Sequence, residues 1–156
     1  MIKQLNTLNI TDLTSCGMTI IGDTEEKNLV EELMLHCVEL GNLCLTKHVL
    51  LFLDEPEMDF EDFDMVAVPF SKLISKSQNV ITYSFTNYNA DVVALNVQYH
   101  PYNMTFELMA GFAMARVFVK NESEYPMNVI LQAGAALYAG GAKLIDIVSA
   151  LNAILK

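Results

Sequence analysis

The chain has 156 residues, of which 53% are hydrophobic and 18% are charged, which is enough for one domain with a sizeable core. Its formal net charge of −10 repels phosphate backbones and excludes nucleic acid as a partner. The apolar runs are shorter than the roughly 20 residues of a membrane span, and the first residues lack the pattern of a secretory signal. We therefore expect a cytoplasmic protein without membrane partners, and the surplus of apolar residues predicts a homo-oligomer.

The first elements in the chain are a strand and a helix. Residues 1–15 are polar and predict a lead-in strand or arm, and Gly17–Gly22 predicts a short strand. Asp23 then offers an N-cap oxygen, and Glu26 follows three residues later, a pairing typical of a helix start. Apolar residues at helical spacing extend the predicted helix over Thr24–Leu40.

Buried strands and an acidic stretch come next. Residues 54–64 hold seven acids, and residues 70–77 predict a helical turn or connector. The acidic stretch lacks the spacing of a calcium loop, so it is interpreted as a solvated loop held by phenylalanine rings or as a weak site for a divalent cation or a basic partner. Three apolar runs around these segments predict parallel strands, namely His48–Leu53, Met65–Pro69 and Asn79–Phe85.

The pattern changes in the second half of the chain. Asp91–Tyr99 and Met104–Met109 alternate with period two around a turn and predict an antiparallel hairpin, which Ala113–Val119 extends as a third strand. Met127–Tyr138 and Leu144–Leu155 predict a helical pair. The whole predicts a single α/β domain over residues 1–156, with a mostly parallel sheet flanked by helices, an antiparallel hairpin or meander, and a C-terminal helical pair.

An ordered series of short motifs covers residues 79–156. These motifs are Val80-Ile81-Thr82-Tyr83-Ser84, Ala90-Asp91-Val92-Val93-Ala94, Met127-Asn128-Val129 with Ala133–Ala136, Gly140 or Gly141, and Ile147-Val148-Ser149-Ala150-Leu151. Their order and spacing resemble the C-terminal half of the central domain of Mur ligases, the ATP-dependent amide ligases of peptidoglycan precursor synthesis, and of the related folylpolyglutamate synthetases. A dozen residues, LQAGAALYAGGA, also resemble a helix of anthranilate phosphoribosyltransferases, but nothing upstream supports that alternative.

The resemblance implies a P-loop-like fold and a site for ATP and magnesium. The place that matches the glycine-rich loop holds Gly22, Asp23, Thr24 and Lys27, and the matching helix holds Asn128. A phosphate loop needs several glycines and a hydroxyl group after its lysine, which this segment lacks. The segment is therefore either a degenerate phosphate loop or a plain helix N-cap.

Two departures concern the predicted helix Met127–Tyr138. Met127 stands where the family has histidine, and Gln132 stands where an asparagine is expected.

Asp54 and Glu55 follow an apolar strand in the manner of a Walker B motif, in which the first acid would hold magnesium. The other interpretation is that they end a structural strand.

Other metal and redox sites have little support in the sequence. The three histidines, His36, His48 and His100, lack zinc-ligand spacing. Cysteines 16, 37 and 44 lack a C-x-x-C spacing and predict buried reduced thiols, with a redox pair or metal site as the alternative.

The departures lead to two functional hypotheses. The first is a shortened, catalytically inactive relative of the Mur ligase central domain that acts as an oligomeric binding or scaffold module. The second is an ATP- and magnesium-binding subunit of an acyl-phosphate-type amide ligase that another chain completes. A third, a fragment of a longer gene product, is disfavoured by the initial methionine.

Overall fold

The described residues form one eight-stranded sheet whose spatial order is the order of the strands along the chain. The structure is a computed structural model, and it describes residues 6–9, 17–54, 63–72 and 79–156. The strands are β1 (Asn6–Asn9), β2 (Gly17–Ile21), β3 (Val49–Phe52), β4 (Met65–Pro69), β5 (Val80–Ser84), β6 (Val92–Tyr99), β7 (Asn103–Ala110) and β8 (Ala113–Lys120).

Parallel pairing dominates the centre of the sheet. Strands β2 to β6 pair in parallel, β1 is antiparallel to β2, and β6, β7 and β8 form an antiparallel meander. This arrangement confirms the predicted mostly parallel sheet with an antiparallel extension. Strand β1 also confirms that the lead-in segment contributes a strand at residues 6–9.

Three α-helices occur in the described ranges, α1 (Thr24–Gly41), α2 (Met127–Ala139) and α3 (Leu144–Leu155). Each begins and ends within one residue of its predicted bounds. Helix α1 packs against α2 and α3, α2 packs on the central strands, and α3 packs on β7 and β8. The predicted connector begins with a short 3-10 helix, Phe70–Lys72, and its remaining residues lie outside the described ones. None of the helices in these ranges has both the length and the apolar character needed to cross a bilayer.

Strand β3 is buried on both faces, as its continuous apolar sequence predicts. Val49 and Leu51 join the main core beneath the helices. Leu50 and Phe52 point to the opposite face and join a second buried cluster, against which Phe63 packs. Because successive strand residues face opposite sides of a sheet, a strand between two cores needs apolar residues at every position.

A carboxylate joins β5 to the start of β6. Asp91 Oδ2 accepts hydrogen bonds from the backbone N–H of Thr82 (2.9 Å) and from its hydroxyl group (3.1 Å). The Thr82 hydroxyl oxygen accepts in turn from the Asp91 backbone N–H at 3.1 Å. The family-like Ala90-Asp91 motif therefore has a structural role here, because it holds together two strands whose ladder begins only at Tyr83.

An asparagine on α3 covers the outer edge of β8. The Asn152 side chain accepts from the Phe118 backbone N–H at 2.8 Å and donates to the Arg116 carbonyl at 3.0 Å. An uncovered strand edge pairs readily with other chains, and a side-chain amide that satisfies both backbone groups prevents this locally.

The two described cysteines have different environments. Cys37 and Cys44 are both free, but Cys37 is buried and Cys44 is exposed. Burial raises the pKa of the Cys37 thiol to about 12, so it stays protonated at neutral pH. The prediction of a buried thiol was wrong for Cys44, because α1 ends at Gly41 and Asn42 turns left-handed (φ 49°) before it. Cys16 lies outside the described residues.

Candidate functional site

The predicted site residues that the structure describes lie at the carboxyl edge of the parallel strands. Parallel strands end at the same edge of a sheet, and ligands of open α/β sheets bind outside that edge. Helix α1 begins there directly after β2, and Asp54 follows β3 at the same edge. The first turn of α2 reaches the same place, since Asn128 contacts Glu26 in the first turn of α1.

The junction between β2 and α1 is a capped helix start. Asp23 is the N-cap residue, and its carboxylate accepts from the Glu26 backbone N–H at 3.4 Å. Its carbonyl accepts from the Lys27 backbone N–H at 2.8 Å, which begins the helical ladder. This geometry confirms the predicted N-cap. Thr24, the first helical residue, is exposed.

Gly22 allows a close approach between the ends of β2 and β3. A Cβ atom added to Gly22 would lie 2.7 Å from the Leu53 Cβ and 2.7 Å from its Cδ1. The Leu53 backbone N–H also donates to the Ile21 carbonyl at 3.0 Å. The local packing therefore accounts for a glycine at this position.

Lys27 lies within the buried face of α1. Its side chain is 2% exposed, and it shares that face with Val30 and Leu33, which belong to the main core. In a phosphate loop the corresponding lysine reaches out to the terminal phosphates. Here the lysine side chain is enclosed by the protein.

Glu26 links α1 to α2. Its Oε1 atom accepts two hydrogen bonds of 2.8 Å each, from Asn128 Nδ2 and from Gln132 Nε2. Asn128 and Gln132 are one helical turn apart on α2 and so share a face. The sequence interpretation assigned Asn128 to nucleotide binding and treated Gln132 only as a departure from the family. The contact between Glu26 and these two amides has few signals in the sequence. They are the acid in the first turn of α1 and the two amides at positions i and i+4 of α2.

Tyr83 extends this network under the end of β3. Its hydroxyl donates to the Phe52 carbonyl at 2.8 Å. Burial raises the Tyr83 pKa well above its ordinary value, a hydrogen bond from Gln132 lowers it, and the negative charges of Glu26 and Asp54 raise it further. We call Glu26, Tyr83, Asn128 and Gln132 the Glu26 cluster.

One buried atom of the Glu26 cluster has no hydrogen-bond partner in the described part of the chain. This atom is Gln132 Oε1. Gln132 as a whole is buried and only 5% exposed. The other end of the same amide faces Glu26, so the amide cannot turn its oxygen toward that carboxylate without repulsion.

The predicted magnesium site is only partly visible. Asp54 is exposed at the end of β3, and Glu55 lies outside the described residues. Among the histidine, cysteine, aspartate and glutamate side chains that the structure describes, no three come together to hold a metal ion. At the end of the acidic stretch, Phe63 packs 4.6 Å from the His48 ring and Asp64 accepts from the His48 backbone N–H at 2.8 Å. Phe63 is thus an anchoring ring, as the solvated-loop interpretation predicts.

Comparison with known proteins supports the fold. The chain is similar to a UDP-N-acetylmuramoyl-L-alanyl-D-glutamate–2,6-diaminopimelate ligase, with a TM-score of 0.52 and 15% identity over 69% of this chain and 28% of the ligase. It is also similar to MurF from Acinetobacter baumannii, with a TM-score of 0.48 and 13% identity over 82% of this chain and 32% of that one. The chain thus spans less than a third of the length of these ligases.

The sequence itself matches no family model and no curated protein. A likeness at 15% identity concerns the fold and not the chemistry. The parallel centre, the antiparallel meander and the helical pair agree with that likeness. This chain therefore has a Mur-ligase-like α/β fold.

Proposed function

We propose that this chain is a binding or scaffold module that uses a Mur-ligase-like fold without ligase activity. The observation that supports this proposal is the position of Glu26. Its carboxylate stands in the first turn of α1 and is held there by Asn128 and Gln132. In a nucleotide-binding α/β domain, phosphates bind at this helix start. Here the negatively charged Glu26 carboxylate lies at that position.

The first turn of α1 is poorly suited to an anion. Phosphates bind helix N-termini through unpaired N–H groups and the positive end of the helix dipole. Here the Glu26 and Lys27 N–H groups already donate to Asp23. Asp23, Glu25 and Glu26 add three carboxylates, and each repels a phosphate by an energy on the order of 1 kcal/mol or more.

Gly22 and Lys27 could compensate for this repulsion only if they were open to a phosphate, but both are packed against other parts of the protein. Gly22 lies against Leu53, and Lys27 is 2% exposed on the buried face of α1. Both residues resemble parts of a phosphate loop in sequence, but their surroundings favour packing roles. These contacts support a module that does not use ATP.

Titration with ATP and magnesium tests the proposal. We expect no saturable heat in isothermal titration calorimetry at millimolar ATP, and no release of phosphate above the buffer rate. Glu26→Gln provides the informative comparison, because it removes the central charge and keeps a side chain of similar size. Saturable binding of ATP by the unaltered chain would contradict the proposal and would favour a nucleotide-binding subunit of an amide ligase that a second chain completes.

The proposal includes self-association. Large apolar side chains are exposed on the β6–β8 meander, at Tyr99, Tyr102, Phe112 and Met114. Light scattering after gel filtration should give a multiple of the 17.4 kDa chain mass, and Phe112→Ser should lower that mass. A constant mass of one chain at all concentrations would refute oligomerisation.

A further inference from the structure

We propose that the Glu26 cluster binds a primary ammonium group, which donates a hydrogen bond to Gln132 Oε1 and pairs with the Glu26 carboxylate. This inference rests on the proposed function as a binding module and names the chemical class of its ligand. It assigns to the carboxyl edge of the sheet a ligand of the opposite charge to a nucleotide.

The first argument is the buried acceptor. Gln132 Oε1 lacks a donor among the described residues, although its side chain is 5% exposed. Buried polar atoms in folded proteins nearly always have partners, and an exception marks a place where a water, ion or ligand donor is missing. The amide cannot be reversed, because Nε2 donates to Glu26 at 2.8 Å.

The second argument is the sign of the charge. Glu26 and Asp54 are both close enough to the Tyr83 hydroxyl to raise its pKa. The Tyr83 hydroxyl is itself committed as a donor to the Phe52 carbonyl. A group that reaches Gln132 Oε1 therefore meets an amide oxygen and the Glu26 carboxylate in a field of negative charge, so a positively charged donor is favoured and an anion is disfavoured.

The third argument is the number of donors and acceptors. An ammonium group carries three N–H donors and no acceptor, which suits a set of acceptor atoms. The acceptors of the cluster are the Glu26 carboxylate and the Gln132 amide oxygen, and among the described residues no three acid, histidine or cysteine side chains converge as a metal site requires. An organic ammonium group fits this arrangement better than a divalent metal ion.

Asn128 is the side chain on the solvent side of the cluster. It is exposed, whereas Gln132, one turn further along α2, is buried. Both donate to the same Glu26 oxygen. When the short Asn128 side chain rotates away, the ammonium group replaces its hydrogen bond to Glu26 and reaches the Gln132 oxygen.

Nuclear magnetic resonance titration of the full chain with n-butylammonium chloride tests the inference. We expect saturable shifts of the Asn128 and Gln132 side-chain amide signals. Tetramethylammonium, which has the same charge but no N–H donor, should leave both signals unchanged at equal concentration. Titration with Nα-acetyl-lysine N-methylamide separates two sources of the ammonium group. Binding at least about tenfold tighter than that of n-butylammonium would indicate a lysine side chain of a partner protein. Equal binding of the two compounds would indicate a free amine.

Substitutions locate the site. Gln132→Met and Glu26→Gln should each weaken n-butylammonium binding about tenfold, the loss expected for one charge-assisted hydrogen bond. Gln98→Met is the matched control on the exposed part of β6 and should leave the affinity unchanged. Glu26→Gln remains informative if Gln132→Met does not fold.

Three results would overturn the inference: no saturable shift, equal shifts with tetramethylammonium, or unchanged affinity in both cluster variants. The ATP titration on the same sample keeps the two proposals separate. ATP binding would refute the proposed function, whereas a failure of n-butylammonium to bind without ATP binding would refute only this inference.

Discussion

Replacing Gly22 with alanine should lower the free energy of unfolding by about 2 kcal/mol, the usual cost of forcing extra volume into a packed site. The new Cβ would lie 2.7 Å from the Leu53 Cβ, an atom that cannot swing away because it is bonded to the backbone. Urea denaturation measures the loss. In a phosphate loop open to solvent, the same change would reduce ligand binding and leave stability almost unaltered.

Two further variants show whether close packing is the cause. In a Leu53→Gly background the Leu53 Cβ and the rest of the clashing side chain are gone, so Gly22→Ala should cost much less than in the unaltered chain. Gly134→Ala is a matched control within α2, where the nearest atom is a flexible Leu108 methyl group at 3.2 Å and alanine has the higher helix propensity. Equal effects of Gly22→Ala with and without Leu53 would exclude the packing role.

Replacing Asp91 with alanine should lower the free energy of unfolding by about 3 kcal/mol, because it leaves a buried N–H and a hydroxyl group without an acceptor. Thr82, which supplies both donors, is 1% exposed. The lost stability should come from weaker pairing of β5 with β6, because the hydrogen-bonded ladder between these two strands is short. Thermal or urea denaturation of the variant measures it, and amide hydrogen exchange of Tyr83 and Val92 shows where the sheet opens.

Matched controls separate this contact from a general effect of losing an acid. Asp91→Asn keeps one acceptor oxygen and should lose less than half as much stability. Asp64→Ala removes a single exposed hydrogen bond to the His48 N–H and should cost less than about 1 kcal/mol. If Asp91→Ala and Asp64→Ala cost the same, the joint between β5 and β6 does not depend on the Asp91 carboxylate.

The secondary structure was predictable because its signals are local. The alternation in β7 and β8, and the helical spacing in α3, each follow from one buried face. The N-cap of α1 was also predictable, since Asp23 and Glu26 are only three residues apart. The exposure of Cys44 was not, because it depends on which way the chain turns after α1.

The candidate site was predictable only in part. The resemblance assigned Gly22, Asp23, Lys27 and Asn128 to one site, and the structure puts them at one edge of the sheet. The roles that we propose for Gly22 and Lys27 differ from those that the resemblance implies. The Gly22 contact with Leu53 and the burial of Lys27 depend on how β2, β3 and α1 pack, and residue type alone does not report that packing.

The sequence by itself determined the strands, the helices, the helix cap and the resemblance, because neighbouring residues carry those patterns through the periods of strand and helix. Only the tertiary structure decided that Glu26 meets Asn128 and Gln132, which lie 102 and 106 residues further along the chain. It also decided that Gln132 Oε1 is enclosed without a donor among the described residues. Contacts of this range depend on the packing of α1 and α2 over the same strands, which no local pattern encodes.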